Sequence, residues 1–159
     1  MAELGDQFLA AAWELPDAAT WGSAEAIGGV LADLLAVLDQ HRDRLSGLRL
    51  RLLHEAKVRG ALGTLDQAGA SPRTTTGQAR AAARLAEEVT TWLPLVGQAL
   101  AEGALSQQQA EAIACGLKCL PGTVSVAEMA ACQREVLDYA QELGPRELRI
   151  LASSGVAFK

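Results

Sequence analysis

Apolar residues recur every three or four positions along most of the chain, and no stretch alternates apolar and polar positions as a half-buried strand would. Ala82, Leu85, Ala86, Val89 and Leu93 form one such face, and Ala110, Ile113, Ala114 and Leu117 a second. Met129, Val136, Ala140 and Leu143 form a third. The spacing predicts helices over 3–13, 24–59, 77–92, 94–102, 107–119, 126–143 and 145–153. Start signals agree with it. Thr75 with Gln78, Ser106 with Gln109 and Ser125 with Glu128 each match the capping box. There a hydroxyl accepts an orphan backbone N–H and the longer side chain reaches back to the cap. Gly60, Gly103 and Gly144 stop periodic segments, and Pro121 and Pro145 follow others. The expected fold is therefore all-α, with a long N-terminal helix packed on a bundle of shorter helices.

The 24–59 segment differs in kind. Ile27, Leu31, Leu34, Leu38, His41, Leu45, Leu48, Leu52 and Glu55 follow spacings of four and three throughout. This is a heptad seam with Leu at every a position, broken at d by His41 and Glu55. Packing of the seam on the other helices of the same chain is the first expectation. A homodimeric coiled coil through Leu31, Leu38, Leu45 and Leu52 is the alternative. Gly47, costing about 1 kcal/mol relative to Ala in a helix, is read as a bend. Gly28 and Gly29 are read as allowing close helix contact. An acidic helix and the long helix fill 1–60, a loop rich in Gly and Thr fills 61–76, and a bundle fills 77–159, together expected to form one structural domain.

Composition narrows the picture. Ala and Leu dominate while aromatics are 4% of 159 residues, so small side chains must let the helices approach closely. A chain of this length buries roughly 68–70% of its unfolded surface and needs no metal or disulfide for a core. The net charge of −5 hides an asymmetry. Residues 1–40 hold seven acids and no Lys or Arg, whereas residues 41–60 hold six bases against two acids. The acidic N-terminus lacks the apolar core of a signal peptide, and charges interrupt every apolar run before about 20 residues. Three cysteines make no closed disulfide framework. A cytoplasmic protein without membrane contact is expected.

Candidate chemistry is sparse. Cys115, Cys119 and Cys132 offer three thiols, short of the four ligands of a structural zinc site, and read as buried small hydrophobes. His41 and His54 lie thirteen apart on diverging faces of one helix, and the adjacent Glu87 and Glu88 point to different faces. No Gly-rich phosphate loop is present. No catalytic, metal or cofactor residue is expected.

From residue 50 onward a series of short motifs runs along the chain. It begins at Leu52-Leu53 and Lys57-Val58-Arg59-Gly60 and continues through Gln78-Ala79-Arg80 and Arg84-Leu85-Ala86. Its most distinctive run is Leu93-Pro94, then Ala99 to Ser106, then Ala110, Ile113-Ala114 and Leu120-Pro121, completed by Ala140, Leu143-Gly144-Pro145 and Glu147-Leu148-Arg149. Over about two-thirds of the chain these motifs resemble the domain of unknown function 222, or 13E12 repeat, family. Many members carry an HNH nuclease domain after this region, so the resemblance implies a non-catalytic front part. Where relatives continue with basic residues and the nuclease, this chain stops at Lys159, so the resemblance implies a truncated member or an isolated front domain. It contains no asparagine, whereas an HNH site needs a metal, a His base and a supporting Asn.

Two functions are then open. One is a DNA-associated module using Arg42, Arg44, Arg49, Arg51, Lys57 and Arg59, together with Arg73, Arg80 and Arg84 around the helix start at Thr75. Arg, hydroxyls and free helix N–H groups suit phosphate, and binding would be weak and without sequence preference. The other is a protein-interaction or dimerisation module that uses the leucine seam and has no nucleic-acid role.

Overall fold

The computed structural model describes residues 24–61 and 74–154, with the side chains of 24–28 and 30 left aside. Among the described residues there are six helices and no strand. They are α1 (Ala24–Val58), α2 (Thr76–Thr91), α3 (Pro94–Glu102), α4 (Gln107–Leu117), α5 (Val126–Tyr139) and α6 (Pro145–Ser154). The all-α expectation holds. The helix expected at 3–13 and most of the 61–76 loop lie outside the described residues. The chain divides into two units, residues 1–37 and 38–159. In the first, Leu34, Leu35 and Val37 are exposed, and nothing lies within 4 Å of where a Gly29 Cβ would sit. Gly29 is thus not the site of close helix contact that the sequence suggests.

The second unit is a bundle closed by local rules. All three capping boxes form, at Thr75, Ser106 and Ser125, each with both reciprocal bonds. They fix where α2, α4 and α5 begin. Pro94 opens α3 at a position that needs no N–H, and Gly103, at φ 73°, closes it in the left-handed conformation. Two helices end earlier than their apolar pattern suggests. After Leu117 and Tyr139 the chain tightens into three-residue bonds, Cys119 N–H to Gly116 O and Ala140 N–H to Leu137 O.

The three apolar faces meet in one core. Leu85 and Val89 of α2, Val96 and Leu100 of α3, Ile113 and Leu117 of α4, Val136 of α5 and Leu148 of α6 are all buried there. The α4–α6 packing is the most extensive. Two buried polar side chains tie distant elements. Gln133 of α5, 1% exposed, accepts the Leu95 and Val96 N–H groups at 3.1 and 3.5 Å. It also donates to Trp92 O and Met129 O. Leu93, the N-cap of α3, has no side-chain cap of its own, so Gln133, 38 positions beyond Leu95, supplies it. Glu88 is ion-paired to Lys118 and to Arg84 at 3.6 Å, linking α2 to the end of α4.

The part of α1 in this unit packs through a face other than the one its heptads mark. Leu50 is 1% exposed and Leu53 9%, and both join the core. Leu38, Leu45, Leu48 and Leu52 are 51–61% exposed. The expectation that the seam packs inside the monomer is therefore wrong. The cause lies in Gly47, which shares a helix face with Leu50. A Cβ on it would lie 2.8 Å from Leu100 O and 3.0 Å from Ala101 Cα. Gly47 is a point of close approach to α3 within a continuous α1, and this contact leaves the leucine-rich face turned away from the bundle.

Candidate interaction surface

Among the described residues of the second unit, the seam of α1 is an exposed apolar stripe. Along 38–58 the a and d positions are Leu38, His41, Leu45, Leu48, Leu52 and Glu55, all exposed. The e positions beside it carry Arg42 and Arg49, and the g positions carry Arg44 and Arg51, so arginines flank both edges. Leu50 sits roughly 140–160° round the helix from Leu45 and Leu52 at 100° per residue, which is why burying one exposes the others.

The nine sequence-predicted basic residues do not form one ridge. Arg42 pairs with Asp39 at 2.7 Å and with Asp43 at 3.3 Å. Arg44 donates its Nε to Glu102 O at 2.8 Å, satisfying a carbonyl at the end of α3. Lys57 bonds Glu87 at 2.9 Å and Arg59 bonds Glu55 at 2.9 Å. Arg84 lies beside Glu88 on α2, Arg80 is exposed on the same helix, and Arg73 falls outside the described residues. Arg49 and Arg51 are exposed on α1. Most of this charge is thus engaged within the chain. The hydrogen bond from Lys57, followed by its charge, holds the Glu87 carboxyl below the usual range.

Two grooves border α1. One, of about 660 Å³, is lined by Gly47, Arg51, His54, Thr90, Gly97 and Gln98, among others. The Nδ1 atom of His54 is buried without a hydrogen-bond partner. The other, of about 710 Å³, lies where α2, α4 and α6 begin, beside Arg42 and the buried Asp43.

The cysteines are scattered in environment. Cys132 is buried, Cys115 half-buried and Cys119 exposed, so the reading of buried small hydrophobes fails for Cys119, which lies beyond the end of α4. Burial, then the Glu135 charge, pushes the Cys132 thiol up. Among the described residues no three His, Cys, Asp or Glu side chains come together to hold a metal ion. None of the described helices is long and apolar enough to cross a membrane.

A bundle of short helices carrying one long helix with an open apolar seam is the class this fold defines. A family model described as a domain of unknown function (DUF222) matches residues 32–157. The chain belongs to that family. No curated protein and no solved structure matches it.

Proposed function

We propose that this protein is a helical protein-association module, in which the seam of α1 docks an apolar helix of another polypeptide. The supporting observation is the exposure of Leu38, Leu45, Leu48 and Leu52 on one helix whose opposite face is in the core. Fully burying a leucine contributes about 1.5–3 kcal/mol, so covering the exposed half of each contributes roughly 1 kcal/mol. Four together give about 4 kcal/mol before the cost of association, enough for a specific contact only with a partner that matches the heptad spacing. Scattered exposed leucines would need no explanation, but four at a and d positions of successive heptads do.

DNA association is less well supported by the geometry. A phosphate backbone lying on Arg42, Arg44, Arg49 and Arg51 would have to lie across the leucines between them. That would desolvate phosphates against apolar surface. A pair of titrations of the full chain at low salt tests the reading. One uses a labelled 21-residue peptide of three heptads with Leu at a and d and Gln at e and g. The other uses a labelled DNA duplex. Peptide binding that disappears on Leu45→Asp with Leu48→Asp, with helix content retained, is the expected result. Duplex binding that survives those changes and is lost on Arg49→Gln with Arg51→Gln would overturn it in favour of nucleic acid.

A further inference from the structure

The charges beside the seam restrict what can cover it. In a parallel pair of copies, g of one chain meets the following e of the other, which sets Arg44 against Arg49. In an antiparallel pair matched Leu45 to Leu48, e meets e and g meets g. Arg42 then faces Arg49, and Arg44 faces Arg51. Either alignment brings arginines together at both edges, with no acid at any e or g position of 38–58 to relieve them. Like charges across a helix pair are destabilising and act as selection against the wrong partner. Arg42 and Arg44 already hold partners within the chain, but Arg49 and Arg51 have no ion pair or hydrogen bond among the described residues.

We infer that the occupant of this seam is not a second copy but an acidic amphipathic helix of another protein, with apolar residues at a and d and Glu or Asp at its flanks. The inference rests on the association reading above and adds the partner's chemistry to it. Leucines supply the contact, and the arginine edges set partner choice and orientation, as e and g charges do in heptad pairs. His41 and Glu55 at d positions interrupt the apolar seam, and Leu45, Leu48 and Leu52 form its unbroken stretch beside Leu38.

The test uses the full chain and three labelled 21-residue peptides with identical leucine seams, carrying Glu, Gln or Lys at e and g. The Glu peptide also repels itself, which keeps it free to bind. Anisotropy titrations at low salt should rank Glu over Gln over Lys, with about tenfold or more between the extremes. Arg49→Glu with Arg51→Glu should reverse the order, and Leu45→Asp with Leu48→Asp should abolish binding of all three. Leucine-dependent binding with no charge preference would sink this inference and leave the association reading standing. So would sedimentation showing a tight homodimer lost on Leu45→Asp. Leucine-dependent binding to anionic phospholipid vesicles, with none to any peptide, would overturn both, as would no binding and no dimer.

Discussion

Replacing Gln133 with Met isolates the tie between α5 and the start of α3. The substitution keeps chain length and approximate volume and removes both the acceptor and the donors. Leu95 and Val96 N–H groups lose the oxygen that now accepts them at 3.1 and 3.5 Å, and Trp92 O loses a donor at 3.4 Å. Because Leu93 offers no side-chain cap, nothing nearby replaces them. Losing an N-cap interaction costs about 1 kcal/mol, and leaving buried polar groups unpaired costs about 1–3 kcal/mol. The apolar thioether recovers part of this by burial, leaving a net loss of about 2–3 kcal/mol. For a chain of this size that is roughly 4–12 °C in Tm. Urea unfolding followed by circular dichroism would measure it, with an unchanged slope showing that both states keep their extent. The exposed Gln141→Met is the control and should stay within about 0.5 kcal/mol. A loss at Gln133 no larger than that of the control would refute the assignment of Gln133 as the cap of α3.

Two glycines on α1 should respond with opposite sign. Gly47→Ala, although better by about 1 kcal/mol as a helix residue, forces a Cβ to within 2.8 Å of Leu100 O and should destabilise by about 1–2 kcal/mol net in thermal unfolding. Gly29→Ala meets nothing within 4 Å and should raise stability by about 0.5–1 kcal/mol or leave it unchanged. A third prediction concerns acid. Glu87 titrates below its usual range in the folded chain because Lys57 bonds it. Its contribution to stability is therefore present above the unfolded value, about 4.3, and is lost as pH falls through the lower folded one. Lys57→Ala should move the Glu87 midpoint upward in a carbon-detected NMR titration, and a midpoint that does not move would refute the pairing.

What the sequence made legible follows from the range of each interaction. A capping box needs only residues three apart, so Thr75, Ser106 and Ser125 could be read directly, and the structure places helix starts at all three. The same boxes show where such reading stops. Gln109 also donates to Ala140 O and Leu143 O, more than thirty positions away, and Gln133 caps a helix it does not belong to. No local spacing encodes either bond. The heptad seam exposes a subtler limit. Four-and-three spacing states that a stripe is apolar, not what covers it, and core packing and partner docking demand the same stripe.

A signal was nonetheless present. Gly47, Leu50 and Leu53 are small or apolar at b, c and f, positions that a coiled-coil helix ordinarily leaves polar because they face solvent. A helix with a second apolar face has two surfaces to cover. The one able to approach another backbone closely must contain the glycine, and the leucine seam contains none between 38 and 55. On that argument Gly47, Leu50 and Leu53 belong to the bundle and Leu45, Leu48 and Leu52 do not, and the structure packs the first three and leaves the other three exposed. The arginines follow the same geometry. They sit on α1 at e and g, so whatever covers the leucines must come to terms with them. On the association reading proposed above, the basic run of 41–60 is the rim of an apolar contact rather than a surface for a polyanion.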